Sequence, residues 1–193
     1  MRRVFQTLND ENPDNVENNG PFPCKKENAW LHNGYYFWDQ DIDVAHWWGE
    51  KGYNGSYIIC ESYFQYDIKF CWDLHNEHTA REEFRLIAKE VKTRGVNNKK
   101  EVKVRDIIEY LQKKNMFKYH AIRLAGMNSI GFNDPLYERH ILDKKARYKK
   151  QAIIWEYDNR PAIQVCFYQK NALNRKVFKI VYPDEYVQDE IVF

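Results

Sequence analysis

Short apolar runs and alternating apolar and polar positions recur along this chain and predict a protein rich in β-strands. The predicted strands are residues 3–7, 35–38, 57–60, 63–70, 119–124, 152–155, 162–168 and 177–182. Residues 57–60 and 63–70 are equally compatible with two strands and with one long bent strand. In strand 162–168, Gln164 lies on the opposite face from Ile163 and Val165, because side chains alternate across a strand.

Helical spacing replaces strand spacing in the middle of the chain. Apolar residues recur every three or four positions over residues 84–91 and again over 104–111, which predicts two amphipathic helices. Thr79 and Glu82 have the spacing of a capping box for the first helix, and Gly95 follows its last turn. Strands combined with such helices indicate an α+β protein, and we expect one domain over residues 1–193.

The most distinctive stretch is residues 30–49, which hold four of the six tryptophans. Gly34 stands directly before four consecutive aromatic residues. We expect a strand over 35–38 that enters a helix, with Asp39 as the N-cap and Gly49 at the helix end.

The alternation of side chains divides these aromatic residues into two pairs. Tyr35 and Phe37 face one way, and Tyr36 and Trp38 face the other. Two interpretations follow: both pairs are buried in a two-sided sheet, or one pair faces the core while the other lines a cleft. Gly34 has no side chain, so it allows either a flat ligand or a neighbouring backbone to come close.

Composition and charge are those of an ordinary soluble globular protein. The 30 basic and 28 acidic residues leave a net charge of +2, so no overall field attracts the chain to nucleic acid or to a membrane. No apolar run has the length of a membrane span, and the first residues lack the apolar core of a signal peptide. We therefore expect a cytoplasmic protein without a membrane partner.

Cysteine and histidine positions give no metal-site pattern. The four cysteines form no Cys-x-x-Cys pair, which predicts reduced thiols. They are Cys24, Cys60, Cys71 and Cys166. His75 and His78 lie close to Cys71 and Asp73 in sequence, but no further group has the spacing of a zinc ligand, so we predict no metal site.

Three polar segments predict surface structure. Residues 9–29 are rich in Asn, Asp, Pro and Gly and predict a loop with one helical turn at 13–17. Residues 128–150 are polar and basic, and we expect a solvated loop there. Because tyrosines are interleaved with the basic residues, the alternative is that residues 139–150 bind nucleic acid. The tail, residues 184–193, is expected on the surface.

Two motifs resemble those of a known superfamily. The sequence Trp30-Leu-His-Asn-Gly-Tyr-Tyr-Phe-Trp38, followed by a predicted helix, resembles the Gly-x-Tyr-Phe signature of the ADP-ribosyltransferase superfamily. More narrowly, it is similar to a group of uncharacterised bacterial proteins allied to that superfamily, whose segment reads roughly Trp-Leu-Gly-x-Gly-x-Tyr-Phe-Trp. His32 replaces a glycine of that pattern. Near the C-terminus, Ile163-Gln-Val-Cys-Phe167 is similar to a strand of the same group, so the resemblance covers most of the chain in order.

The resemblance implies an ADP-ribosyltransferase-like fold of split antiparallel sheets with flanking helices, and NAD as the substrate. It implies that Tyr36 stacks on the nicotinamide, with Gly34, Tyr35 and Trp38 beside it. In the superfamily the first strand supplies a His-Gly-Thr or an Arg that holds the amide and ribose of NAD. Gln6 and Thr7 stand at those positions.

The resemblance also implies a catalytic position on the last core strand. Enzymes of the superfamily carry a glutamate there, which holds the ribose hydroxyl and stabilises the cation formed as nicotinamide leaves. Gln164 is the counterpart, and it can form the hydrogen bond without supplying the negative charge. Turnover is then slow, or another carboxylate contributes, with Glu61 and Glu156 as the candidates.

Three functions remain open at this point. The first is transfer of ADP-ribose from NAD to a macromolecular acceptor, either protein or nucleic acid. The second is a catalytically inactive binding protein on the same fold. The third is nucleic-acid binding through residues 139–150.

Overall fold

The computed structural model of the protein describes residues 1–10, 12–94, 102–126, 140–148, 151–157, 161–173 and 178–187. The strands are β1 (Arg2–Asn9), β2 (Tyr35–Asp39), β3 (Tyr57–Phe64), β4 (Cys71–Asp73), β5 (Ala121–Ala125), β6 (His140–Tyr148), β7 (Gln151–Tyr157), β8 (Ile163–Phe167) and β9 (Phe178–Tyr182). The helices are α1 (Pro13–Asn19), α2 (Ile42–Gly52), α3 (His78–Thr93) and α4 (Val104–Lys113). Two short 3-10 turns follow at Lys170–Ala172 and Asp184–Tyr186.

Seven strands form one sheet in the order β4-β5-β8-β2-β1-β3-β9, and β6 pairs with β7 in a separate two-stranded sheet. Within the seven-stranded sheet β4 and β5 are parallel, and the other neighbours are antiparallel. The predicted α+β class is therefore confirmed. None of the helices in the described ranges is both long and apolar enough to cross a bilayer.

The central strands are buried on both faces, because apolar side chains alternate toward one core cluster on one face and two on the other. One face carries Phe37 and Val165, which pack with Val16 of α1. On the opposite face Cys166 packs beneath α3 and α4, while Trp38 packs beneath α2. The predicted alternation along β2 and β8 is thus confirmed, and it leaves part of the α2 side available for a cavity.

The junction between β2 and α2 differs from the prediction. Asp39 is not the N-cap; it is the last residue of β2 and is buried. The N-cap is Asp41, whose side chain accepts a hydrogen bond from the Asp43 amide at 3.1 Å. The helix also continues past Gly49 to Gly52. Gly49 is an interior residue of the helix, and its lack of a side chain lets the Tyr57 ring pack against the helix backbone. A Cβ at Gly49 would lie 2.4 Å from the Tyr57 ring.

The predicted capping box at Thr79 and Glu82 is also wrong. Helix α3 begins at His78 with Glu77 as its N-cap, and no side chain caps it. The chain enters helical geometry earlier because Asp73 Oδ1 accepts hydrogen bonds from the amides of His75 and Asn76, both at 2.9 Å. Helix α4 spans the predicted apolar repeat.

The basic region differs from the predicted loop. Residues 140–148 form strand β6, which pairs with β7 in an antiparallel hairpin. The first and last residues of the predicted nucleic-acid segment, Arg139, Lys149 and Lys150, lie outside the described residues. Residues 65–70 are not a strand either, because β3 ends at Phe64 and the chain turns before β4.

Candidate functional site

A cavity of about 850 Å³ lies on the α2 side of the sheet. Its walls come from β1, β2, β8, the C-terminal end of α2 and the loop of residues 22–30. They include Gln6, Thr7, Tyr36, Trp38, Trp48 and Gln164. Its volume is within the range of about 300–1,000 Å³ that is typical of small-molecule sites.

The strand register explains why residues distant in sequence meet here. Phe5 of β1 pairs with Trp38 of β2, and Trp38 pairs with Gln164 of β8. Neighbouring strands are about 4.8 Å apart, so a row of paired residues places their side chains side by side on one face. Tyr36 lies two residues before Trp38 on β2, so its side chain is on the same face of the sheet.

Five of the seven predicted site residues line this cavity, and two do not. Gln6, Thr7, Tyr36, Trp38 and Gln164 all lie in its wall. Tyr35 instead packs against the core on the opposite face of the sheet. Gly34 contacts a neighbouring strand, since a Cβ there would lie 2.5 Å from Cys166 Sγ and 2.8 Å from the carbonyl oxygen of Phe167. The glycine therefore admits protein atoms and does not face the cavity.

Gln6 holds the loop that forms one wall. Its Nε2 donates to the carbonyl oxygens of Phe22 at 2.9 Å and Tyr36 at 3.3 Å, and its Oε1 accepts from the Phe22 amide at 3.0 Å. Thr7 has a similar role, because its hydroxyl donates to the carbonyl oxygen of Ala45 in α2 at 2.9 Å. Both side chains are buried, so their polar groups shape the cavity by bonding to backbone.

Tyr36 contributes its ring to the cavity wall and its hydroxyl to the adjoining loop. The hydroxyl accepts from the Leu31 amide at 2.9 Å and donates to the carbonyl oxygen of His32 at 2.7 Å. Burial and the nearby Cys166 thiol raise the pKa of Tyr36 well above its usual value. The phenol therefore stays neutral and provides a flat, uncharged surface.

Gln164 is joined to a residue that sequence reasoning did not single out as a site residue. Trp30 Nε1 donates a hydrogen bond to Gln164 Oε1 at 2.7 Å. The Trp30 ring also occupies the space beside Gly126, where a Cβ would lie 2.1 Å from it. Gln164 is only 6% exposed, so this bond fixes the carboxamide in the cavity wall.

The end of the cavity near α2 is aromatic. Trp38 and Trp48 have ring centroids 6.1 Å apart, and Tyr53 donates a long hydrogen bond of 3.4 Å to the carbonyl oxygen of Thr7. Trp48 and Tyr53 both line the cavity. Such flat walls suit a planar ring system.

The charge of the lining is one-sided. Lys25 and Lys26 line the cavity, and none of the described lining residues is Asp or Glu. Glu61, considered above as a substitute carboxylate, pairs with Phe5 and so lies three strands from Gln164, about 14 Å away. Glu61 is instead bonded to Arg3 and to Tyr63. Glu156 lies on β7, outside the seven-stranded sheet.

The thiols and the candidate metal residues form neither a disulfide nor a metal group among the described residues. The four cysteines are free thiols, as predicted. Within the described ranges no three His, Cys, Asp or Glu side chains form a group that could hold a metal ion. Asp73, close to the candidate metal residues, binds both Tyr66 and the buried Arg123.

Besides Trp30, the residues of this site that sequence reasoning missed include two aromatic residues and two lysines. Trp48 lies in the predicted helical end of the aromatic stretch and Tyr53 follows the stretch; the packing of α2 against β1 and β2 brings both to the cavity. Lys25 and Lys26 were part of a segment predicted only as a loop, with no signal that distinguished them.

Comparison with known proteins adds no relative: no protein-family model matches the chain, and neither the curated proteins nor the solved structures contain a significant match.

Proposed function

We propose that this chain is an ADP-ribosyltransferase-like protein that binds NAD in the cavity and transfers its ADP-ribose to a macromolecular acceptor. The observation that carries the proposal is the meeting of three segments around one cavity. Gln6 and Thr7 come from the first, Tyr36 and Trp38 from the second, and Gln164 from the third. The sequence resemblance implies these same segments for NAD.

The size and chemistry of the cavity support a dinucleotide. Two aromatic regions line it, one at Tyr36 and Trp30 and the other at Trp48 and Tyr53. A molecule with two planar ring systems fits such walls better than one with a single ring. The seven-stranded, mostly antiparallel sheet with helices packed on it supports the coarser α+β class, and the ADP-ribosyltransferase-like arrangement of split sheets is the finer fold that we propose.

The reaction would break the bond between nicotinamide and ribose and develop positive charge on the sugar. Gln164 offers a carboxamide dipole to that charge, whereas a carboxylate would offer a full negative charge. Losing one preorganised electrostatic contact commonly costs about 3 kcal/mol, or roughly a hundredfold in rate. We therefore expect slow turnover by the natural chain.

The uncharged Gln164 favours a second candidate, in which the chain binds NAD without consuming it and acts through a macromolecular partner. The two candidates share the ligand and differ in turnover. They also differ in the effect of adding a carboxylate, because Gln164→Glu can still accept the hydrogen bond from Trp30.

The test combines NAD binding by isothermal titration calorimetry with an assay for released nicotinamide. We expect Tyr36→Ala to weaken NAD binding by between about fivefold and about 150-fold, since an aromatic stacking contact contributes on the order of 1–3 kcal/mol. Tyr35→Ala is the matched control on the same strand, because Tyr35 faces the opposite core and should leave affinity unchanged. Circular dichroism of each variant reports whether it has folded.

The outcomes separate the candidates. Nicotinamide release by the natural chain at saturating NAD supports the transferase. Release only after Gln164→Glu supports the binding protein. Absence of NAD binding by a folded natural chain removes both.

A further inference from the structure

Most polar side chains of the cavity wall already have protein partners. The carboxamide of Gln6 makes three hydrogen bonds to backbone groups. The hydroxyls of Thr7 and Tyr36 donate to the carbonyl oxygens of Ala45 and His32. Because these donors are engaged within the protein, ligand recognition depends on the polar groups that remain.

The first polar group that remains for a ligand belongs to the Gln164 carboxamide. The hydrogen bond from Trp30 determines whether that group is the oxygen or the NH₂. An indole N–H can only donate, so the atom bonded to Trp30 Nε1 at 2.7 Å is the carboxamide oxygen. Oxygen and nitrogen of an amide are hard to distinguish by shape, but this partner removes the ambiguity. The group that Gln164 has available is therefore its NH₂, a hydrogen-bond donor.

The remaining charged groups are Lys25 and Lys26. Both are exposed at the edge of the cavity, and neither forms an ion pair with any described residue. Their backbone is held in place on both sides. Cys24 exchanges hydrogen bonds with Gly34 at 2.7 and 3.2 Å, and the Ala29 amide donates to the carbonyl oxygen of Lys26 at 2.9 Å.

Two ammonium groups on a backbone held at both ends, with no ion-pair partner among the described residues, favour an anion, and none of the described lining residues is Asp or Glu. We infer that the cavity recognises its ligand through acceptor oxygens: Lys25 and Lys26 bind the phosphates of a nucleoside diphosphate unit, and the Gln164 NH₂, oriented by Trp30, donates to a second acceptor on the same ligand. This inference rests on the proposed function for its site and adds the groups that select the ligand.

The phosphate contribution is measured by comparing ADP with adenosine, which differ only in the diphosphate. We expect ADP to bind about tenfold more tightly by calorimetry, because two charge-assisted contacts at a solvent-exposed edge are modest in strength. The ratio should fall as the salt concentration rises from about 0.05 M to about 0.3 M.

The variant Lys25→Gln/Lys26→Gln should reduce this ratio to about one. Its control is Lys69→Gln/Lys89→Gln, which removes the same charge from exposed lysines that do not line the cavity. The control should keep the ratio of the natural chain. Equal ADP affinity in the two double variants overturns the assignment of the lysines.

The role of Trp30 is tested with a double-mutant cycle. Trp30→Phe keeps a ring beside Gly126 and removes the N–H, and Gln164→Leu removes the carboxamide. If Trp30 acts through Gln164, each single variant weakens ADP binding and Trp30→Phe has no further effect once Gln164 is replaced. Additive losses show that Trp30 contacts the ligand independently, which overturns its positioning role.

The ligands also distinguish this inference from the proposed function. Lysine-dependent binding of ADP without any binding of NAD supports the inference and removes the proposed function. NAD binding that is unaffected by loss of both lysines supports the proposed function and overturns the inference. Failure of the natural chain to bind ADP overturns the inference.

Discussion

Arg123 is the central cation of a buried charge cluster, and replacing it with leucine should destabilise the protein strongly. Its Nε donates to Asp39 at 2.7 Å, and one guanidinium nitrogen donates to both oxygens of Asp73 at 2.9 and 3.1 Å. The Arg123 side chain is 4% exposed, and those of Asp39 and Asp73 are 1% and 0% exposed. Arg2 adds a second cation on Asp39 at 2.8 Å.

The magnitude follows from the charge that is left behind. Two arginines balance two aspartates, so Arg123→Leu leaves one net negative charge in a site closed to water. Removing one partner of a buried ion pair costs about 3–5 kcal/mol. Asp39 has one buried oxygen without a partner among the described residues, and after the change Arg2 would be its remaining ion-pair partner. We therefore expect a loss in the middle of this range, about 4 kcal/mol.

Urea unfolding at pH 7 measures the change in the free energy of unfolding. The control is Arg94→Leu at the C-cap of α3, where the side chains of Arg94 and Glu90 are 61% and 41% exposed. Removing this exposed pair should cost about 0.5 kcal/mol or less. A loss below about 1.5 kcal/mol for Arg123→Leu would refute the reasoning, since the cluster would then contribute little more than an exposed pair.

The same variant has a pH signature. Burial would raise the pKa of Asp73, but hydrogen bonds from Tyr66 and the backbone, together with Arg123, lower it overall. The natural chain therefore has this stabilisation above the unfolded pKa of about 3.9 and loses it as the pH falls through the lower folded pKa. Without Arg123 the Asp73 carboxyl protonates more readily, so the difference in unfolding free energy between the variant and the natural chain should narrow toward about pH 4.

Three further predictions concern a closely packed glycine, the loop that Gln6 holds, and the pH dependence of stability. Gly34→Ala should cost about 2 kcal/mol in urea unfolding, because its Cβ would overlap Cys166 Sγ at 2.5 Å. Gln6→Leu should cost about 2–3 kcal/mol and speed hydrogen exchange at the Phe22 amide, which loses its acceptor. Burial lowers the pKa of three histidines in the folded chain. As the pH falls, these histidines are therefore protonated at a higher pH in the unfolded chain than in the folded one, and the free energy of unfolding should fall below about pH 6.5. The three histidines are His32, His46 and His75. Replacing all three with Gln should flatten that part of the pH profile.

Local patterns predicted the elements whose character depends on nearby residues. The alternation of Gln164 and Val165 correctly assigned opposite faces of β8, and the alternation of Tyr36 and Phe37 did the same for β2. The apolar repeat over residues 104–111 correctly predicted helix α4. These predictions hold because side-chain direction follows from the backbone period alone.

The predicted starts of helices α2 and α3 were wrong where contacts outside the local capping pattern involved the same residues or preceded them. Asp39 has the local character of an N-cap, but Arg2 and Arg123 bind it and keep it in the strand. Thr79 and Glu82 have capping spacing, but the turn around Asp73 starts α3 earlier. A short sequence window contains neither competitor.

The sequence by itself determined the α+β class, the faces of the central strands and a set of polar and aromatic residues suited to one site. The tertiary structure decided the rest: which strands are neighbours, that Tyr35 faces away from the cavity, and that Trp30 bonds to Gln164. The physical reason is that strand pairing and loop packing join residues more than a hundred positions apart, and no local periodicity records those contacts.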